Sequence, residues 1–323
     1  MSGVIHVLTG CTAVGKTDLA LGWAERHGAE IVSCDSLLFY RGLDLGTAKP
    51  TAMERARVPH HLIDVREVRE QMDVTQYVTL ARAAIEGIFS RGRRVLVTGG
   101  SGFYLKAFFA PVADEVTVPA VLRDELRARL ERDGLGSLVV ELSALNPGGL
   151  AALDTANPRR VLAALGRCRA SGRTLAELRA DFAAQPAPFA EFEVRLCELV
   201  REKDDLLARM EARVAAMLRA GLVGEVRTLA ERGLRENPSA ARAIGYRETL
   251  DFLDGRLAEA ELAYAIVRNT RALAKKQRTW FKTQLPPHEP VAAEGADLSA
   301  LFPPARSATG KSDTPATRPA GSS

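Results

Sequence analysis

Aromatic residues make up only 6% of the 323-residue chain, and cysteine is confined to Cys11, Cys34, Cys168 and Cys197. No two cysteines share a C-x-x-C spacing and none clusters with a histidine, which excludes a zinc ribbon and a disulfide framework. The thiols read as buried and reduced, as in a cytoplasmic protein. No apolar run approaches the ~20 residues of a membrane helix. Val4–Leu8, interrupted by His6, is too short for the core of a secretion signal. Charge of one sign is also lacking: 44 Lys and Arg oppose 40 Asp and Glu, a net of +4. Overall charge therefore says little about a polyanionic partner, and its placement matters more. What remains is a globular chain, 46% hydrophobic, long enough for about two domains.

Near the N-terminus "VIHVLTG" reads as a buried strand ending at Gly10, and a helix follows from about Lys16 to a stop at Gly28. "EIVSCDS" and "RRVLVTGG" read as further strands, with Asp35 and Gly99–Gly100 just past their ends. Strands alternating with helices predict an α/β core with a parallel sheet. Ligands bind beyond the carboxyl ends of such strands, so Gly10–Thr17, Asp35 and Gly99–Gly102 are expected to meet there. From about Val118 helical periodicity dominates, through "PAVLRDELRARLERDG", "LVGEVRTLAERGL" and "LAYAIVRNTRALAKKQRTWFKTQ". The division expected is a core of residues 1–112 and 201–285, a helical insertion over 113–200, and a disordered tail over 286–323. The proline-bounded "FAAQPAPFAEFEV" marks the return to the core. Beyond Pro303 no large apolar residue remains to offset the entropy of ordering.

"GCTAVGKT", residues 10–17, has the spacing of a phosphate-cradling loop between a strand and a helix. Gly10, Cys11, Thr12, Ala13, Val14 and Gly15 supply backbone N–H groups, helped by the positive end of the following helix. Lys16 pairs with terminal phosphate oxygens, and the Thr17 hydroxyl is a Mg²⁺ ligand. Asp35 can hold Mg²⁺, act as a base, or accept a hydrogen bond from a substrate amine; a strand-end aspartate can also merely cap a turn. Ser36 is a weaker candidate. Lys49 either reaches phosphate or is an ordinary exposed loop lysine. "GGSGFYLKA" is a second glycine turn opening a helix, with a hydroxyl at Ser101. Arg268, Arg271, Lys275, Arg278 and Lys282 are spaced three and four apart, so they share one helix face, suited to phosphates. Adjacent His60 and His61 point apart, so each reads as structural rather than as a shared metal site.

Taken in order, "GCTAVGKT", "DSLLFYRGLDLGTAKP", "PHHLID", "GGSGFYLKA", "AIGYRE" and "TRALAKKQRTWF" resemble the tRNA dimethylallyltransferase family over residues 4–285. A small-molecule kinase on the same core is the competing reading of the loop alone. The resemblance implies a P-loop NTPase-like core with a mostly helical insertion that grips the anticodon stem-loop. It implies transfer of a dimethylallyl group from dimethylallyl diphosphate to N6 of the adenine beside the anticodon, tRNA position 37, by a monomer using Mg²⁺. The loop then clamps a departing diphosphate, with Lys16, Thr17 and Asp35 catalytic. Contacts to tRNA are implied at Asp35, Ser36, Leu37, Leu38 and Ser101, at Arg123, Arg159 and Arg160, and at Arg271, Lys275 and Lys276. The chain departs from the family pattern at several positions. Cys11 stands for proline and Val14 for a small residue, which is expected to narrow the pocket. Leu38 stands for glutamine, Ala163 for arginine, Gly166 for glutamate, Ala272 for glutamine and Lys276 for arginine. These departures leave the diphosphate chemistry intact and alter the RNA readout.

Overall fold

The computed structural model describes residues 3–114, 116–150, 153–296 and 301–302. Strand β1 (Val4–Gly10) runs through the glycine loop into α1 (Lys16–His27) and back to β2 (Ala29–Ser33). A short α2 (Ala52–Arg57) precedes β3 (His60–His61), and α3 (Val74–Ser90) precedes β4 (Arg94–Thr98). Next come α4 (Gly102–Lys106), α5 (Ala120–Ala144), α6 (Pro158–Ser171), α7 (Leu175–Ala184) and then β5 (Glu193–Val200). The chain continues through α8 (Lys203–Arg219), α9 (Leu222–Glu231), α10 (Pro238–Ala241), α11 (Tyr246–Leu253) and α12 (Glu259–Gln284) to β6 (Val291–Ala292).

All strand pairs are parallel, in the order β3-β2-β4-β1-β5-β6. Side chains alternate across a strand, and here both faces are covered. Val95 and Val97 enter one apolar cluster with Tyr77, Ile85 and Val214; Leu96 between them enters another with Trp23, Leu21 and Leu199. This explains why Val95, Leu96 and Val97 stand apolar at consecutive positions of β4. Helix ends follow their cap residues. Gly28 at φ 60° closes α1 by donating to Ala24 O. Thr51 with Glu54, Asp73 with Gln76, and Thr174 with Glu177 form capping boxes that start α2, α3 and α7. Asn157 caps α6 ahead of Pro158. Gly134, at φ 77° and ψ 169°, kinks α5.

Two expected boundaries need correction. The helical segment ends before residue 200, because Glu193–Val200 is β5, paired with β1 from Glu193 to Leu199 in the core sheet. Its alternation was masked by charge: Glu198 is buried because His288 Nε2 pairs with it at 2.8 Å. The insertion keeps its own small core, formed by Leu126, Leu138, Leu142, Val161, Leu165 and Leu175. Likewise residues 286–302 are not all a loose tail. β6 pairs with β5 at Leu199 and Val200, and the Phe302 ring packs edge-on to Trp23 at 5.0 Å. Residues 303–323 of the expected tail lie outside the described residues.

Gly99 follows β4 where a Cβ would stand 2.1 Å from the Cys34 carbonyl oxygen. Gly99→Ala should therefore destabilise the fold by roughly 1–3 kcal/mol or more. Gly136, in α5 with open space around it, should instead gain about 0.5–1 kcal/mol as Gly136→Ala. Denaturation midpoints of the two variants against wild type check both signs.

Candidate active site

The turn from β1 into α1 is shaped by glycine at both ends. Gly10 sits at φ 145° with Leu199 O 2.5 Å from where a Cβ would lie, and Gly15 is left-handed at φ 104° as the residue before α1. No side chain caps α1. Its first-turn N–H groups have no intrahelical partner and lie where Gly15, Lys16 and Thr17 line a cavity of about 440 Å³. Carbonyls of the loop are occupied from outside. Arg209 Nε donates to Ala13 O at 3.0 Å and Arg201 Nε to Val14 O at 3.1 Å, both from the β5–α8 segment. Cys11 and Val14 are fully packed among Leu21, Leu199 and Leu206. Val14 therefore points into the core and does not narrow the pocket. Lys16 Nζ curls back onto Gly10 O at 2.8 Å and Cys11 O at 2.9 Å. Burial lowers its pKa to about 8, against smaller upward pulls from Cys11 and Asp35.

Asp35 follows β2 and lines both this loop cavity and a second one of about 540 Å³. Its Oδ1 accepts from Leu37 N at 3.0 Å, which leaves the other carboxylate oxygen for a ligand. Facing it is Arg213 of α8, also shared by the two cavities, with its guanidinium bonded to Thr47 O at 2.9 Å. Burial pulls the Arg213 pKa down from its ordinary value and Asp35 pulls it back up. Thr12, Thr47, Gly100 and Gln277 complete the passage common to both cavities. Beyond it, the larger cavity becomes apolar along Val214, Met217, Ile266, Leu273, Trp280 and Phe281.

The second glycine turn joins the first, as expected from the strand order. Ser101 Oγ accepts from Ser36 N at 2.9 Å, tying that turn to the Asp35 loop. Ser36, Leu37 and Ser101 line the larger cavity, while Leu38 lines the loop cavity. Gly102 lies under the Trp280 ring, which a Cβ would meet at 2.5 Å. The loop after Asp35 is held from below. Glu225 accepts from Leu45 N at 2.7 Å and from Tyr246 OH at 2.7 Å.

Lys49 does not reach toward phosphate. It is buried, donating to Tyr40 O at 2.9 Å and pairing with Asp44 at 2.7 Å and Asp64 at 2.5 Å, so it braces its own loop. His60 and His61 take separate partners, Val58 O at 2.7 Å and Glu30 at 2.7 Å. Among the described residues no cluster of three His, Cys, Asp or Glu side chains suits a metal.

Four cations of the basic stripe stay together, and Lys276, off the stripe, goes elsewhere. Arg268, Arg271, Lys275 and Arg278 face Lys203 of α8 across a groove of about 310 Å³, whereas Lys276 lines the larger cavity of the centre. Among the described residues none of these α12 cations pairs with a carboxylate. The Arg268 guanidinium lies 6.0 Å from the Tyr264 ring centre. Arg123, Arg159 and Arg160 are not gathered at the centre. They lie in the insertion, Arg123 on α5 beside Ala163, and Arg159 and Arg160 at the exposed start of α6 with Arg160 3.6 Å from Asp154. Sequence reading missed Arg209, Arg213, Thr47 and Gln277. Gln277 stood inside the motif "TRALAKKQRTWF"; Arg213, in the mixed-charge run "ARMEARV", gave no signal.

A family model described as IPP transferase matches residues 38–284. The tRNA dimethylallyltransferase of Opitutus terrae is 63% identical over 299 residues, covering 92% of this chain and 96% of that protein. That of Deinococcus radiodurans is 42% identical over 285 residues, covering 87% and 90%. Among solved structures, the full-length tRNA isopentenylpyrophosphate transferase of Bacillus halodurans is 34% identical, with a TM-score of 0.63 and 88% of each chain covered. A eukaryotic dimethylallyltransferase acting on tRNA shares the fold, with a TM-score of 0.74 at 24% identity over 87% of this chain and 70% of that one. The chain therefore belongs to the IPP transferase family, the tRNA dimethylallyltransferases.

Proposed function

We propose that the protein transfers the dimethylallyl group of dimethylallyl diphosphate to N6 of the adenine at tRNA position 37, releasing diphosphate. The observation that carries this reading is the placement of Asp35 on the boundary shared by the loop cavity and an adjoining, largely apolar one. The diphosphate occupies the loop, the five-carbon chain points through the passage, and the adenine enters from the far cavity after leaving its stack. N6 attacks the allylic carbon as the carbon–oxygen bond breaks, and the N6 proton passes to Asp35. Charge gathers on the departing diphosphate, beside the first-turn N–H groups of α1, and the Lys16 ammonium would swing from Gly10 O and Cys11 O to meet it. Adenine N6 is a poor base, so holding the amine in line matters more than deprotonating it.

Thr17 and Asp35 both border the loop cavity, a sparse oxygen donor set of the kind Mg²⁺ accepts when phosphate and water fill its other positions. The ion would neutralise charge on the departing diphosphate. The oligomeric state we assign is a monomer. The site of action we assign is the cytoplasm, consistent with the four free thiols. Arg123, Arg159 and Arg160 serve as the insertion's contacts to the anticodon stem, and Arg271 and Lys275 as phosphate contacts.

Incubation with dimethylallyl diphosphate, Mg²⁺ and unmodified tRNA, followed by nucleoside analysis, should yield prenylated adenosine; none at all would sink the proposal. Asp35→Ala should lower kcat by about 10²-fold or more with tRNA affinity nearly intact. The opposite split would assign Asp35 to RNA grip. Because Lys16 in the free protein loses its proton near pH 8, diphosphate affinity should fall as pH rises through that value, by up to about tenfold per unit. In Lys16→Met the bend should vanish while overall affinity drops. Arg271→Ala with Lys275→Ala should flatten the salt dependence of tRNA affinity by about 0.7–0.9 per lost phosphate contact in a log–log plot, and an unchanged slope places that groove away from RNA.

A further inference from the structure

We propose that Gln277 is a positioning residue, a strut that fixes the diphosphate loop to the helix whose cations face RNA. Both ends of its amide are used. Oε1 accepts from Thr12 N–H at 3.0 Å, and Nε2 donates to Gly100 O at 2.9 Å. Only this orientation of the amide satisfies both partners, since the reversed one would set donor against donor and acceptor against acceptor. One side chain thus joins both glycine turns to α12, at the passage between the two cavities.

Gly100 is fitted to the strut. A Cβ there would stand 2.8 Å from Gln277 Nε2 and 3.3 Å from Gly10 O. The Thr12 N–H is committed to Gln277, so it is not among the donors left for phosphate. Those begin further along the loop, at the start of α1. The loop is consequently gripped from two helices by opposite ends of its peptides: α12 takes an N–H through Gln277, and the β5–α8 segment takes carbonyls through Arg201 and Arg209. Lys275 and Lys276 stand immediately before Gln277 on α12, one in the basic groove and one in the larger cavity. A shift of α12 is therefore passed directly to the loop. A displacement of about 1 Å at such a site is enough to cost ~10²-fold in rate.

This inference rests on the reading that the loop holds a diphosphate, and the experiment separates the two. Calorimetry measures inorganic pyrophosphate binding with Mg²⁺ and, separately, binding of an anticodon stem-loop RNA. Wild type that fails to bind pyrophosphate counts against the diphosphate reading itself. With wild-type binding in hand, Gln277→Met, which keeps the bulk and removes both hydrogen bonds, should bind pyrophosphate about tenfold more weakly. Its RNA affinity should stay within about twofold of wild type. Gln277→Glu can accept from Thr12 but sets a carboxylate against the Gly100 carbonyl; protonation restores the donor. Its pyrophosphate affinity relative to wild type should recover as pH falls toward the ordinary glutamate value of about 4.3, while that of Gln277→Met stays flat. Unchanged pyrophosphate affinity in Gln277→Met overturns the proposal. So does an equal loss of RNA affinity, which would make Gln277 an RNA contact, or a flat pH ratio for Gln277→Glu, which would reduce it to packing. Should Gln277→Met not fold, Gly100→Ala, whose methyl displaces the amide, carries the same test with the same expected split.

Discussion

The site depends on a competition for the two ends of each peptide in the turn from β1 to α1. A phosphate loop works only if its N–H groups stay available, and a peptide presents its N–H and its carbonyl in opposite directions. Here the carbonyls are engaged elsewhere. Arg209 takes Ala13 O, Arg201 takes Val14 O, and the Lys16 ammonium takes Gly10 O and Cys11 O. With those oxygens held outward, the first turn of α1 is left with donors and a positive dipole end facing an open cavity. Cys11 and Val14, unusual for a loop of this kind, serve the same end by burying their side chains in the core behind it.

From that loop outward, the parts of the centre come from distant segments that the parallel sheet brings to one edge. β1 supplies the loop, β2 leads to Asp35, and β4 leads to the second glycine turn. β5, beside β1, delivers α8 with Arg201, Arg209 and Arg213. α12 closes the other side with Gln277, Lys276 and Trp280. The result is two cavities with a shared passage, charged at one end and apolar at the other.

Charge is distributed by depth. Lys16 and Arg213 are cations drawn out of water beside Asp35, and their pKa values move down because burial penalises the charged form. The α12 cations Arg268, Arg271, Lys275 and Arg278 line one groove together instead. Lys49 shows the opposite fate for a lysine beside the same site. Once ringed by Asp44 and Asp64 it has no charge to offer a ligand.

The sequence alone located the α/β core, the two glycine turns, Asp35 at a strand end and the run of cations on α12. Each is written locally, in a glycine spacing, an apolar run or a helical repeat. It misplaced β5 because Glu198 looks exposed until His288, ninety residues later, is seen hydrogen-bonded to it. It also counted β6 and Phe302 in the tail, because their partners Leu199 and Trp23 lie far back in the chain. Tertiary structure alone decided that Arg213 faces Asp35, that Lys49 is spent on its own loop, and that Gln277 spans the two glycine turns. None of these is a property of a short segment. Each is a hydrogen bond or ion pair between residues whose nearness is set by sheet order and helix packing, and linear spacing carries no record of it.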